Sequence, residues 1–139
     1  MVLNKTILIL EDNLNVLSKL LNTLYALEND QPYDFSIIIL TTHEQVKNYI
    51  NENPKAQFDI VLLDRDCKLN GSFHTLDIER FGVDKVIAIS SIPEYNEQIR
   101  ELGVKRIILK DMQNLDEFSI KITKEVEDMI TTVKPIIFK

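Results

Sequence analysis

The sequence predicts a three-layer α/β domain built on an open, five-stranded parallel sheet in the order 2-1-3-4-5. Five apolar runs recur along the chain, and their cores are solidly apolar instead of alternating, as in strands that are covered on both faces. Amphipathic helical patterns separate the runs, and this alternation favours parallel strands joined by right-handed crossovers. The runs are residues 6–10, 35–40, 60–63, 86–89 and 106–109.

The first two helices are indicated by periodicity and by capping residues. Leucines recur at helical spacing over residues 14–27, which predicts a long first helix. Thr42 followed by Gln45 matches a capping box, in which each side chain binds the backbone N–H of the other residue, and it predicts the start of the second helix. Asn53 and Pro54 are expected to close that helix.

The later helices carry similar signals. Ser91, three residues before a glutamate, predicts the start of another helix, with Pro93 in its first turn and Gly103 at its end. The signals between the third and fourth strands are weaker and indicate a turn at residues 70–71 and a short helix over 75–80. An apolar stripe marks the last helix and comprises Leu115, Phe118, Ile122, Val126 and Met129.

Size and composition indicate one globular domain. We predict a single domain over residues 1–139, with a core over 5–130 and a C-terminal tail over 131–139. The net charge is −6 and no basic stripe appears, so direct binding to nucleic acid is not expected. Apolar runs are far shorter than the roughly 20 residues of a membrane span, and no signal peptide is expected before the first strand. The single cysteine, Cys67, fits a reducing compartment, so a cytoplasmic location is predicted.

Polar residues stand at or just beyond the ends of four predicted strands. Glu11 and Asp12 follow the first strand, Asp64 the third, Ser90 the fourth and Lys110 the fifth. Because the carboxyl ends of parallel strands lie along one edge of a sheet, these side chains are expected to converge on one pocket. Three carboxylates beside a hydroxyl and an ammonium suit Mg²⁺ next to a phosphoryl group. The sequence therefore predicts a phosphoryl-transfer site at this edge.

The motifs that carry these residues occur in a recognisable order. They read Ile-Leu-Glu-Asp, Val-Leu-Leu-Asp, Ala-Ile-Ser-Ser and Ile-Leu-Lys, each ending an apolar strand. In this order they resemble the receiver domain of two-component response regulators, over residues 5 to about 130. The resemblance implies the flavodoxin-like (βα)5 fold, which has the sheet order predicted above.

This resemblance also implies a role for each residue of the pattern. Asp64 would accept a phosphoryl group from a histidine kinase or a phosphotransfer protein, Ser90 would move toward that group, and Lys110 would pair with it. The chain would act as a stand-alone receiver that signals through a downstream protein or as a homodimer, and not as an enzyme that turns over a separate substrate. The implied Mg²⁺ ligands are the carboxylates of Glu11, Asp12 and Asp64 and the backbone carbonyl of Asp66.

Four positions depart from the usual receiver pattern. Lys68 stands where proline is usual, Ser91 where alanine or glycine is usual, and Asp111 where a proline normally follows the lysine. Ile107 replaces the aromatic residue that often changes rotamer on activation. These departures leave the acceptor chemistry intact, but they put the usual output route in doubt. They motivate one alternative, a degenerate receiver that acts as a phosphorylation-independent interaction module.

A second alternative rests on residues 64–66. Asp64-Arg65-Asp66 after an apolar strand also resembles the nucleophile motif of haloacid-dehalogenase-type phosphohydrolases. That family normally places its nucleophile on the first strand and its acidic pair after the lysine. Here the acidic pair comes first, which favours the receiver order.

Three further residues receive weaker interpretations. The side chain of Asp66 is expected either to influence the lifetime of the phosphoryl group or to contribute nothing beyond its backbone carbonyl. His43 and His74 show no paired metal-binding spacing, and both are predicted to be surface residues.

Overall fold

The computed structural model contains the predicted parallel sheet. It describes residues 3–30, 32–66 and 72–131. All neighbouring strands pair in parallel, in the order β2-β1-β3-β4-β5, so the predicted topology is confirmed. The strands are β1 (Leu3–Leu10), β2 (Tyr33–Leu40), β3 (Ile60–Asp64), β4 (Val86–Ser90) and β5 (Arg106–Leu109).

Helices cover both faces of the sheet. The first and last helices pack on one face, and the three between them pack on the other, which gives two apolar layers with the sheet in the middle. Short 3₁₀ turns at Ser72–Thr75 and Val83–Lys85 lie on either side of the third helix. The helices are α1 (Leu14–Asp30), α2 (His43–Gln45, continued as a π-helix over Val46–Asn51), α3 (Ile78–Phe81), α4 (Pro93–Glu101) and α5 (Leu115–Thr131).

The sheet extends further at the ends of β3 and β4 than the sequence predicted. Asp64 is the last residue of β3 and pairs with Ile89, while Ser90 is the last residue of β4 and pairs with Leu109. Both polar residues therefore belong to the ladder of the sheet, and their backbones are fixed by it. This matters for the site because rigid strand ends hold side chains more precisely than loops do.

The predicted cap of α2 is confirmed, whereas the predicted cap of α4 is wrong, although Pro93 lies in the first turn of α4 as predicted. Both halves of the capping box between Thr42 and Gln45 form. Ser91 does not cap α4. The cap position is Ile92, which has no side-chain cap, and Pro93 follows it. The backbone N–H of Ser91 instead points to a carboxylate on another strand end, so the residue is used by the site and not by the helix.

Smaller differences lie in the third and last helices. The helix predicted over 75–80 is shorter and begins at Ile78, where Asp77 caps it by accepting from the N–H of Arg80. In α5 the last fully packed position is Ile130, whereas Met129 is only partly buried. The end of α4 is as predicted, because Gly103 has a φ of 100°, a conformation that glycine adopts without strain.

Some predictions lie outside the described residues. They are the turn at residues 70–71, the positions Cys67 and Lys68, and all of the tail beyond Thr131. Within the described ranges, no helix has the length and apolar character needed to cross a membrane.

Candidate functional site

The acidic pair follows β1 directly and precedes α1. The carboxylate of Glu11 accepts from the N–H groups of Asp12 and Asn13 through Oε2, at 3.0 and 3.1 Å. The side chain of Asn13 caps α1 by accepting from the N–H of Val16 at 3.2 Å. Because Asn13 is the cap, the helix does not need the carboxylate of Asp12.

Lys110 brings the ends of three strands together. Its Nζ donates to Asp64 Oδ1 at 2.9 Å, and it also lies 2.9 Å from Glu11 Oε1 in an ion pair that lacks hydrogen-bond geometry. Glu11 and Asp64 have no exposed surface, and Lys110 is only 5% exposed. Three ionisable groups thus share a buried space, where charges interact far more strongly than in water.

Burial and mutual contact shift the pKa values of this group. Burial, followed by the negative charge of Glu11, raises the pKa of Asp64 to about 9, although Lys110 opposes the shift. Burial alone would lower the pKa of Lys110, but the charges of Asp64 and Glu11 outweigh it and raise that pKa. Lys110 is therefore a cation at neutral pH, and further positive charge at the site would favour ionisation of Asp64.

Asp66 faces the same space from the other side. Its carboxylate accepts from the Ser90 hydroxyl at 2.6 Å and from the N–H of Ser91 at 2.9 Å, and it lies 3.6 Å from Lys110 Nζ. Burial opposes ionisation of Asp66, but the hydrogen bonds from Ser90 and Ser91 outweigh it and lower the pKa. The side chain of Asp66 therefore binds two residues of the predicted site, and its influence on the lifetime of the phosphoryl group stays a prediction.

Solved structures of known proteins share this fold. The phosphorylated cyanobacterial phytochrome response regulator RcpA matches with a TM-score of 0.68 at 17% identity, over 94% of this chain and 97% of its own. The Mn²⁺-bound form of response regulator Rcp1 matches with a TM-score of 0.64 at 15% identity, over 97% and 99%. The bacteriophytochrome response regulator AtBRR matches with a TM-score of 0.56 at 24% identity, over 84% and 90%. No family model and no curated protein sequence matches the chain.

The chain has the fold of a response regulator receiver domain. The predicted flavodoxin-like (βα)5 architecture is thereby confirmed. At these sequence identities the likeness establishes the fold, and the chemistry has to be argued from the residues at the strand ends.

The site of this receiver fold suits a divalent cation. Ligand oxygens of Glu11, Asp12 and Asp64 all lie within 4.8 Å of one another. Among the described residues, Asp64 Oδ2 is buried and has no hydrogen-bond donor. A buried carboxylate oxygen without a donor is costly unless a cation approaches it. The residues present therefore fit an ion such as Mg²⁺, which prefers a few carboxylate oxygens and retains several waters.

The structure brings all five predicted strand-end residues to one edge of the sheet. Two of the departures from the receiver pattern, Asp111 and Ile107, lie apart from this site. Asp111 turns back on its own loop, where its Oδ1 accepts from the N–H of Gln113. Ile107 is half-buried in β5, where it packs against the apolar layer of α2 to α4.

One connection next to the site was missed by sequence reasoning. Arg65 is 5% exposed, and its guanidinium donates to Gln98 of α4 at 3.2 Å and contacts His74 Nδ1 at 3.4 Å. His74 in turn contacts the backbone carbonyl of Arg65 through Nε2 at 2.9 Å and packs edge-on against Tyr95. His74 keeps part of its surface exposed, and its ring lies half-buried between the β3 end and α4. A charged residue in the middle of a polar loop gives no sequence signal for such burial.

Proposed function

We propose that the chain is a response regulator receiver that accepts a phosphoryl group on Asp64 from a histidine kinase or a phosphotransfer protein. The observation that carries the proposal is the buried contact of Lys110 with both Asp64 and Glu11. An ammonium held at the carboxylate that is to be phosphorylated neutralises the charge that collects there during phosphoryl transfer.

The chemistry of the transfer follows from the positions of the side chains. An oxygen of the ionised Asp64 carboxylate attacks the phosphorus of a phosphohistidine, so that an O–P bond forms, the N–P bond breaks, and the imidazole takes up a proton. Lys110 pairs with the incoming phosphoryl oxygens, and the hydroxyl of Ser90 donates to one of them. Asp64 must lose its own proton first, which the raised pKa opposes in the absence of a cation.

The carboxylates of Glu11, Asp12 and Asp64 would hold Mg²⁺, and the backbone carbonyl of Asp66 stays a prediction as a fourth protein ligand. When bound, the ion supplies positive charge that favours ionised Asp64 and offsets the repulsion between its carboxylate and the phosphoryl oxygens. Asp12 is half-buried at the mouth of the cluster, so it is placed to meet an ion that enters from solvent.

The signal would pass to a downstream protein or to a second copy of the chain. The net charge of −6 argues against direct binding to nucleic acid. A cytoplasmic location and the absence of turnover of a separate substrate also belong to this proposal. Arg65 offers a path by which a change at Asp64 reaches α4, because it links the residue after the acceptor to Gln98.

Intact-mass measurement tests the proposal. The protein is incubated with Mg²⁺ and acetyl phosphate as donor, and we expect the mass of one phosphoryl group to be added. Asp64→Asn should abolish the addition, and chelation of Mg²⁺ should prevent it. The matched control is Asp111→Asn, which changes an exposed aspartate next to Lys110. This variant protein should gain the phosphoryl group as the wild type does.

Other outcomes would favour the alternative functions. If no mass is added with either acetyl phosphate or a phosphorylated histidine domain, the chain is a phosphorylation-independent interaction module. If phosphate is released well beyond one equivalent from a small phosphomonoester, it is a phosphohydrolase of the haloacid-dehalogenase type. Addition of mass to the Asp64→Asn variant would mean that the acceptor is another residue.

A further inference from the structure

The carboxylate of Asp66 accepts from two hydrogen-bond donors and forms an ion pair with Lys110. The Ser90 hydroxyl lies 2.6 Å from Oδ1, the N–H of Ser91 lies 2.9 Å from both oxygens, and the Lys110 ammonium lies 3.6 Å from Oδ2. A hydroxyl, a backbone N–H and an ammonium that converge on one anion are the groups that a phosphoryl oxygen needs. In this structure these groups contact the carboxylate of Asp66 instead.

The single proton of the Ser90 hydroxyl is committed to Asp66. Ser90 Oγ has one other acceptor within reach, the carbonyl of Ile92, at the longer distance of 3.2 Å. The same oxygen accepts from the N–H of Ile92 at 2.9 Å, which orients the hydroxyl. Because a hydroxyl carries one proton, the shorter contact with the charged oxygen takes it.

The backbone holds Asp66 in this position. Its N–H donates to Asp64 Oδ1 at 2.9 Å, so the two aspartates are joined through the acceptor carboxylate itself. The side chain of Asp66 is half-buried, with 21% of its surface exposed, and it bridges the residues that follow β3 and β4. A phosphoryl group on Asp64 would compete for the donors that this carboxylate now uses.

We propose that the Asp66 carboxylate is an internal ligand of the phosphoryl-oxygen site and has to be displaced when Asp64 is phosphorylated. The displacement rests on the proposed function, whereas the role of Asp66 as an internal ligand does not. Two anions cannot share one hydroxyl proton and one N–H, so phosphorylation exchanges the first anion for the second. The loop of Ser90 to Ile92 donates to an anion both before and after phosphorylation. The released carboxylate of Asp66 is the group whose position changes most.

Amide hydrogen exchange at Ser91 tests whether Asp66 is the internal ligand, and it needs no phosphoryl donor or metal. In Asp66→Ala the exchange rate of the Ser91 N–H should rise about 10-fold or more, as expected for the loss of a charge-assisted hydrogen bond. Asp66→Asn keeps the shape and one acceptor oxygen, so its rate should rise less. Asp111→Ala removes an equal charge from the neighbouring loop and should leave the Ser91 rate unchanged. Equal Ser91 rates in the wild type and Asp66→Ala, or an equal rise in Asp111→Ala, would overturn the proposal.

Beryllofluoride with Mg²⁺, an analogue of the phosphoryl group, tests the displacement. In the wild type it should change the Ser91 exchange rate little, because one anion replaces another, whereas in Asp66→Ala it should slow that rate by about 10-fold. A large slowing in the wild type would contradict the displacement. If beryllofluoride binds neither protein, the proposed function fails, and the metal-free comparison still decides whether Asp66 is the internal ligand.

Discussion

Lys110 is the residue on which the stability of the site depends most directly. It is the cation of a buried group with two acidic side chains, and its removal leaves the buried negative charge of that group without a partner. We expect Lys110→Met to reduce the free energy of unfolding of the metal-free protein by about 3 kcal/mol. Mg²⁺ should restore part of the loss, because it supplies positive charge to the same carboxylates.

Urea unfolding with and without Mg²⁺ measures this effect. The control is Lys121→Met, which removes an exposed lysine that pairs with Glu117 one helical turn away. Such surface pairs contribute about 0.5 kcal/mol or less. Equal losses of unfolding free energy in the two variants would mean that the buried contact of Lys110 stabilises the fold no more than a surface ion pair does.

The pKa of Asp64 predicts how stability depends on pH. It is raised in the folded protein to about 9 from an ordinary value of 3.8, so the fold favours the protonated acid. The stabilisation of the fold by protonated Asp64 is complete below pH 3.8 and is lost progressively as the pH rises to about 9. We therefore expect the unfolding free energy of the metal-free protein to fall between about pH 4 and about pH 9.

Unfolding in a chelator over that pH range checks the prediction. Asp64→Asn cannot ionise, so its stability should fall much less over the same range. Saturating Mg²⁺ should flatten the curve of the wild type, because metal binding requires the ionised carboxylate and releases its proton. A wild-type curve that is flat without metal would show that Asp64 is not held protonated.

At the scale of elements, α3 holds the end of α2 in place through one residue. Arg80 donates to the backbone carbonyls of Ile50, Asn53 and Ala56, which follow one another at the end of α2 and beyond it. Its guanidinium also lies 4.7 Å from the ring centre of Phe81. The planar fork of arginine can reach several carbonyls at once, and lysine cannot.

We expect Arg80→Lys to lower the free energy of unfolding by about 1–2 kcal/mol, since several backbone carbonyls would lose their donors. Arg100→Lys in α4 is the matched control, because Arg100 is exposed and pairs only with Glu97 among the contacts described for it. That control should change stability by less than about 0.5 kcal/mol. Thermal or urea unfolding of both variants compares them, and equal effects would contradict the account of α3.

The elements also show where local sequence signals are sufficient. The capping box of Thr42 and Gln45 forms as predicted because both of its partners lie within one turn of the same helix. Ser91 has the same local signal, but a distant residue, Asp66, takes its N–H. A tertiary hydrogen bond to a carboxylate outweighs a local cap, and no pattern within the helix could indicate it.

At the scale of the whole molecule, the sheet order and the convergence of the strand ends could be predicted from the sequence. Both follow from the order of apolar strands and from the rule that parallel strands end on one edge. The buried position of Arg65 and the use of Asp66 as a ligand could not be predicted. Each depends on tertiary contacts of residues 65 and 66 with the end of β4 and with α4, which polar residues without periodicity do not indicate.

The most direct test of the central claim is to locate the phosphoryl group on the chain. The protein is phosphorylated in Mg²⁺ by a phosphorylated histidine domain, the aspartyl phosphate is reduced with borohydride to homoserine, and the peptides are sequenced by mass spectrometry. The account predicts homoserine at Asp64 alone, and none when Mg²⁺ is chelated. Homoserine at Asp12 or Asp66, or none under any condition, would contradict it.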